Sequence, residues 1–472
     1  MLLSSMLTKS QMISKSPKSM NKNIMRRGIG LIGFLLMFQI THAQFRTPKI
    51  LKHPKRILVK SMYHLNSPYR ETNICISPDG KYMFFMTGRG GQPWSGKPSR
   101  RWKGKLEYSG DIWYAQKIGK KWGVPRALPA TVNTDNGEDE PNVSPDGQTV
   151  YFQSWYGNWE KRGGPYYSAS LYGSHWSRPR GLGGGINAFF QNRQDLGEEL
   201  ATDGATMSAD GKTFIVAVGP YDGNMNLYMS RKDRFGRWSF LKRLSVSTMG
   251  NERSPAISAD GKTLYFASSG YGGYGGLDIF KTTIHPDGSH GKIVNLGAPF
   301  NTVYDDYGLA LTAQGDEAYF IREGDIYFAD TRDANPEMKP NTSTLMVTGV
   351  VTNQKTNKPM GTTVTFLHAQ TGQVITRVTS NSVTGQYATM IPLKDSNFIQ
   401  AVRKTGFNNY NKGFSVQIKT GLNKVIADIK LKPVKKEETI IAKKDPIKPL
   451  KIKRRVAKNV IKECAAETGR DH

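Results

Sequence analysis

The chain has 472 residues and only two cysteines, Cys75 and Cys464, so there is ample length for a large core and no basis for a disulfide framework. Lys and Arg outnumber Asp and Glu by 66 to 38, a formal charge of +28 that suggests an anionic partner on its face. Much of that excess lies at the two ends, between Lys9 and Arg27 and between Lys435 and Arg470, and the body between them is only moderately basic.

In chain order, the first readable element is Arg26-Arg27-Gly28 followed by an apolar run to Ile40 and the small-residue site Thr41-His42-Ala43. A basic stretch, a short apolar stretch and small residues read as a secretory signal peptide over residues 1–43, with a start that could lie at Met20 or Met25. The run is well short of the roughly 20 residues a membrane-spanning helix needs. No cysteine follows it to take a lipid.

From residue 44 to 335 one pattern recurs five times: an apolar strand, a tight turn, and a second strand carrying an aromatic or apolar doublet. The turns are Ser77-Pro78-Asp79-Gly80, Ser144-Pro145-Asp146-Gly147, Ser208-Ala209-Asp210-Gly211, Ser258-Ala259-Asp260-Gly261 and the altered Thr312-Ala313-Gln314-Gly315. A glycine-rich connection leads each copy to a third strand, such as Asp111-Ile112-Trp113-Tyr114 or Asp325-Ile326-Tyr327-Phe328, and then to a weaker fourth. Repeated four-stranded units that cannot bury a face alone predict a β-propeller. The fifth copy lacks a fourth strand, and Arg56–Lys60 is the spare strand that would close it. The expected count is therefore five blades, or six if the insertions at Trp94–Lys105 or Ile186–Asp195 hide another copy.

Residues 336–344 read as a linker. Between 345 and 433, seven short alternating strands predict a β-sandwich, the clearest being the one in which Val425, Ala427, Ile429 and Leu431 alternate with charged residues. Residues 434–472 are Lys-rich and proline-interrupted and read as a disordered basic tail. The chain is thus expected to be all-β, a propeller followed by a seven-stranded sandwich.

The Ser-Pro-Asp-Gly turn with its later Asp-Ile-Tyr/Trp strand resembles the TolB-type, WD40-like propeller repeat. Thr348-Gly349-Val350-Val351, Lys358-Pro359, Thr384-Gly385-Gln386-Tyr387 and Lys404-Thr405-Gly406-Phe407 resemble a carboxypeptidase-regulatory-like, transthyretin-like domain, an accessory module without catalytic groups. Together the order resembles Gram-negative envelope proteins, including a periplasmic component of the type IX secretion and gliding apparatus. Many such relatives continue into an OmpA-like, peptidoglycan-gripping domain, for which the residues after the sandwich show no strand and helix pattern.

The turn aspartates fit turn chemistry better than catalysis, because Asp accepts backbone N–H bonds and Gly supplies positive φ. Six residues upstream of each turn stand Glu71, Glu138, Thr202, Glu252 and Asp306. Their four carboxylates would ring a channel mouth and hold a cation or a partner's Lys or Arg, or else would cap loops and pair with neighbours such as Arg253. Trp94, Trp102, Trp155 and Trp159 fall in long loops beside Arg and Lys and are candidates for a partner-binding surface. The histidines show no metal-ligand spacing, and no nucleophile elbow or phosphate loop occurs, so no catalytic residue, cofactor or metal is assigned. The sequence points to a non-enzymatic envelope scaffold binding other envelope proteins, with the basic tail touching anionic lipid or glycan and no role for nucleic acid. The alternative is a carbohydrate-active propeller, a lyase or glycosidase acting on an acidic glycan.

Overall fold

Turn chemistry dictates the repeat. In four copies the serine hydroxyl donates to the aspartate two residues on, as Ser77 Oγ does to Asp79 Oδ1 at 2.8 Å and Ser208 Oγ to Asp210 Oδ1 at 2.6 Å, while the closing glycines sit at φ +66° to +72°. The fifth copy has Gln314 in the aspartate's place. There Thr312 Oγ1 donates instead to Asp316 Oδ1 at 2.7 Å, so the lost acceptor is supplied two residues later.

This computed structural model describes residues 47–434 except 99, 221 and 222. The expected signal peptide and basic tail lie outside the described residues. Each turn joins an inner strand to a second one: Glu71–Ile76 to Tyr82–Thr87, Glu138–Val143 to Thr149–Ser154, Leu200–Met207 to Thr213–Pro220, Glu252–Ile257 to Thr263–Ser268, and Asp306–Leu311 to Glu317–Arg322. Third strands such as Asp111–Ile118 and Asp278–Thr283 pair on the far side, and short fourth strands follow in the first four sheets. The five inner strands are neighbours in a closed cycle, first to second and on to fifth and back to first, which is the arrangement of a β-propeller.

The outer edge of the fifth sheet is covered by Val59–Ser61, antiparallel to Asp325–Asp330 with Val59 opposite Ala329. This strand starts later than the Arg56–Lys60 expected, because Ile57 is drawn into the core between the fourth and fifth sheets beside Phe300 and Phe320. Lys49–Ile50 covers a second edge, pairing in parallel with Val294–Asn295. The two insertions form other structures: Arg100–Trp102 and Lys105–Glu107 make a hairpin, and Gly184–Asp195 is a helix. That helix was not expected, although its buried Ile186, Phe189 and Phe190 stand at helical spacing. Its start lies against the backbone of Ser239–Phe240, where a Cβ on Gly185 would come within 2.2 Å of the Phe240 nitrogen.

Beyond the ring, two four-stranded sheets face each other over Leu345, Val347, Phe366, Phe398, Ile429 and Leu431. Thr344–Asn353 is central in one sheet, and Thr363–His368 lies between Val374–Thr379 and Asn397–Val402 in the other. Tyr410–Ser415 forms the edge of this second sheet, beside Asn397–Val402. Eight strands form rather than seven, because the last alternating run breaks into Leu422–Ile426 and Ile429–Leu431. At the break the Ala427 carbonyl accepts from Tyr387 Oη and from Gln400 Nε2 at 3.1 Å, and Asp428 Oδ1 accepts from Val350 N at 2.9 Å. Side chains thus supply the hydrogen bonds that the ladder loses.

The segment between the two units is pinned. Met338 is fully buried, Tyr265 Oη donates to its carbonyl at 2.8 Å, and Lys281 Nζ donates to the carbonyls of Glu337 at 2.7 Å and Lys339 at 2.6 Å. From there the chain lays Met346, Ala388 and Met390 onto Ala209, Ala259 and Ala313. These alanines replace the proline of the first two turns, and all three pack against the second unit. Polar contacts extend the junction, with Leu422 N donating to Gln314 Oε1 at 2.9 Å and Asn381 Nδ2 to the Leu171 carbonyl at 2.7 Å. The turn end of the ring is therefore covered, and within the ring lies a cavity of about 80 Å³ to which all five inner strands contribute.

Candidate functional site

With the turn end covered, the loop end holds the accessible polar chemistry. The four carboxylates expected to ring the mouth do not open onto it. Glu71, Glu138, Glu252 and Asp306 are each 0% exposed, and each folds back on the Ser or Thr four residues earlier. Glu138 accepts from Thr134 N, from Thr134 Oγ1 at 2.8 Å and from Ser154 Oγ at 3.0 Å; Glu252 does the same with Thr248 and Ser268. Glu71 takes Ser67, Thr87 and Arg89, and Asp306 takes Thr302 and Arg322. Arg253 pairs with Asp203 rather than Glu252. The physical reason is local: a loop entering an inner strand leaves unpaired N–H groups, and a carboxylate four residues on is the nearest strong acceptor. Burial outweighs these donors and raises the pKa of all four, that of Glu138 to about 8.

The residue before each capping Ser or Thr completes a motif that sequence reasoning missed. Asn133 Oδ1 accepts from Ile112 N at 2.9 Å while its Nδ2 donates to the carbonyls of Ile112 at 3.0 Å and Leu128 at 2.9 Å. Asn301 does likewise on Ile279, Asn66 on Ile326, and Ser247 on Leu227. The signal was present as Asn/Ser-Ser/Thr-x-x-x-Glu/Asp before four of the five inner strands. It ties each loop back to the preceding sheet's third strand, locking consecutive sheets together.

A second ring was also hidden. Four residues before each turn Ser or Thr, the inner strand bulges through a left-handed residue: Asn73, Glu140, Gly204, Ser254 and Gly308, with φ from +46° to +101°. Non-glycine residues at three of the five positions mark backbone strain concentrated around one axis. Glu140 is buried there, accepting from Tyr166 Oη at 2.6 Å and Gly204 N at 3.0 Å, and its pKa is raised by burial and by neighbouring Asp139. Asp139 Oδ1 accepts from Asn73 Nδ2 at 2.8 Å.

Asp139 also lines a cavity of about 370 Å³ at the loop end, shared with Met86, Gly110, Gln153, Trp155 and Thr202. Of the four tryptophans singled out, Trp155 alone faces it, at 37% exposed. Trp159 is buried, edge-on to Trp155. Trp94 is half-buried and donates to Asp111 Oδ1 at 3.1 Å, and Trp102 lies between Arg70 and Lys103 against Gly324. The four therefore do not form one surface. Elsewhere on the loop end, Tyr63, Met249, Val303 and Tyr304 are 83%, 95%, 75% and 52% exposed. The loop bearing Tyr274 packs against the one bearing Val303 and Tyr304, so part of this apolar surface is continuous. Among the described residues, no three His, Cys, Asp or Glu side chains converge as metal ligands, and burial pushes the Cys75 thiol up to about 11. No helix among them is long and apolar enough to cross a membrane.

No family model and no curated protein matches the chain. Among solved structures it is similar to a putative TolB from Agrobacterium tumefaciens, with 15% identity over 71% of this chain and 97% of that one and a TM-score of 0.33. TolB from Acinetobacter baumannii gives 13% identity over 72% of this chain and 62% of that one, with a TM-score of 0.30. The catalytic domain of a Coprinopsis cinerea GH62 α-L-arabinofuranosidase gives 10% identity, 61% and 96% coverage, and a TM-score of 0.34.

Proposed function

We propose that the chain is a non-enzymatic scaffold of the Gram-negative cell envelope, exported by its N-terminal segment, in which a five-bladed propeller capped at its turn end by a sandwich offers the opposite loop face to protein partners. The observation that carries this reading is the contrast between the two ends. The sandwich occupies one end through buried methionines, whereas the other end carries exposed Tyr63, Met249, Val303 and Tyr304. Where such side chains adjoin, as on the packed loops of Tyr274, Val303 and Tyr304, they mark an interaction surface. The carboxylates that would have served a glycan-cleaving reading are engaged as loop caps, which favours the scaffold. Association with type IX secretion or with outer-membrane and peptidoglycan organisation belongs to the same proposal.

The test is site-specific photo-crosslinking in intact envelopes, with the probe at Val303 or Met249 on the loop face and at exposed Lys120 beside the turns. Discrete adducts from the loop-face positions and none from Lys120 are expected. Equal labelling from all three, or turnover of a uronic-acid polymer by the purified chain, would overturn the reading.

A further inference from the structure

We propose that the cavity lined by Asp139, Gln153 and Trp155 receives the cationic side chain of a partner protein, a lysine or an arginine. The head group would meet Asp139 and the Gln153 amide while the alkyl stem lies along the indole. For the source of the side chain this rests on the scaffold reading; the chemistry of the pocket stands on its own.

Gln153 is the first reason. It is 6% exposed and lines the cavity, yet its carboxamide makes no hydrogen bond to any described residue. The amide opens onto the cavity, where a ligand or water can satisfy it. Asp139 is the second. It stands directly opposite Gln153 across the strand pair, placing the two side chains on one face of the sheet. Its Oδ1 is occupied by Asn73 and by Glu140 N at 2.6 Å, whereas Oδ2 has no hydrogen-bond partner among the described residues.

The open acceptors suit a cation. Arg70, whose charge acts on Asp139, lies 5.3 Å over the Trp102 ring with Nε 3.9 Å from Glu107, and Arg253 is paired with Asp203. No cation of the described chain lies within ion-pair distance of the free oxygen of Asp139. Neighbouring Glu138 and Glu140 are committed to Thr134 and Ser154 and to Tyr166 and Gly204, and burial favours their neutral forms, so the free oxygen of Asp139 is the acceptor left for a ligand. An anionic ligand would meet three carboxyl groups, with the Arg70 guanidinium beyond ion-pair distance of Asp139. A lysine or arginine instead completes the free oxygen of Asp139 and the amide oxygen of Gln153, and its methylenes suit Trp155, Met86 and Leu200.

An indole beside an amide and a carboxylate could also seat a sugar ring, so the experiment separates the two. The full chain is titrated with Nα-acetyl-lysine amide, Nα-acetyl-arginine amide and methyl glucoside, followed by indole fluorescence and calorimetry. Saturable binding of at least one cationic amide is expected, weakened about tenfold or more by Asp139→Asn. Asn keeps an oxygen for the Asn73 bond, and Gln153→Met provides a second variant of similar shape, expected to weaken binding severalfold. Absence of saturable amide binding, binding unchanged in both variants, or tighter binding of the glucoside would overturn the proposal. Its failure with the Val303 crosslinks intact would leave the scaffold reading standing, and the converse result would remove the scaffold while keeping the pocket.

Discussion

The two ends of the propeller show opposite treatments of the same repeat. At the turn end, three of the five copies carry alanine where the first two carry proline, and the sandwich lays Met346 and Met390 onto those alanines. At the loop end the copies keep their capping carboxylates but differ in what they expose: Met249 and Val303 each directly follow a capping threonine and stand free. The difference teaches that departures from a repeat are themselves positional information. A departure that shrinks a residue marks where something inside the chain docks, and one that adds an exposed apolar residue marks where something outside can.

One substitution made at both ends tests that contrast most strongly. Met390→Asp places a charge in a contact where the methionine is 2% exposed and should cost about 3–5 kcal/mol. Urea unfolding should then separate into two transitions as the sandwich comes away from the ring. Met249→Asp, on a side chain 95% exposed, should leave stability within about 0.5 kcal/mol while abolishing loop-face crosslinks. A single unchanged transition for Met390→Asp would show that the covered end contributes little to cohesion.

Next in size is the lock at the loop end. Asn133→Ala removes three hydrogen bonds and strands the Ile112 N–H in a buried setting, so a loss of about 2–3 kcal/mol is expected by thermal or urea unfolding. The same change at Asn66 should cost less, since its bond to Ile326 is only part-buried.

A further effect concerns pH. Burial raises the Glu138 pKa from 4.5 to about 8, so the folded chain holds this proton more tightly than the unfolded one. Its contribution to stability is therefore full below about pH 4.5 and declines as pH rises toward about 8. Melting temperatures measured from pH 5 to pH 8 should fall less steeply for Glu138→Gln than for the unaltered chain. Equal slopes would mean that Glu138 is ionised in the fold at neutral pH, held so by Thr134 and Ser154.

Legibility in the sequence followed the range of the interaction. The Ser-Pro-Asp-Gly turn could be read directly because the serine, the aspartate and the glycine act within five residues, and the strands flanking it follow from their aromatic doublets. The alternation of Val425, Ala427, Ile429 and Leu431 could be read for the same reason. The break within that run could not, since it depends on Tyr387, Gln400 and Val350 meeting Ala427 and Asp428 from other strands. The carboxylates upstream of the turns were legible as a register but not as a role. Whether Glu138 faced the axis or its own loop depended on Thr134 being placed to donate, a geometry that the recurring Ser/Thr-x-x-x-Glu/Asp spacing accompanies but does not reveal. Gln153 carried no signal, because an unpartnered amide is a property of its surroundings.

The sequence by itself determined the repeating unit, its turn chemistry and the change of character near residue 345, because each arises from residues close together along the chain. Tertiary structure alone decided that the second unit covers the turn end, that the acids at Glu71, Glu138, Glu252 and Asp306 are caps, and that Asp139, Gln153 and Trp155 share a cavity. Those outcomes depend on which surfaces meet, and hydrophobic burial is non-directional until packing places Met346 and Met390 against the three alanines.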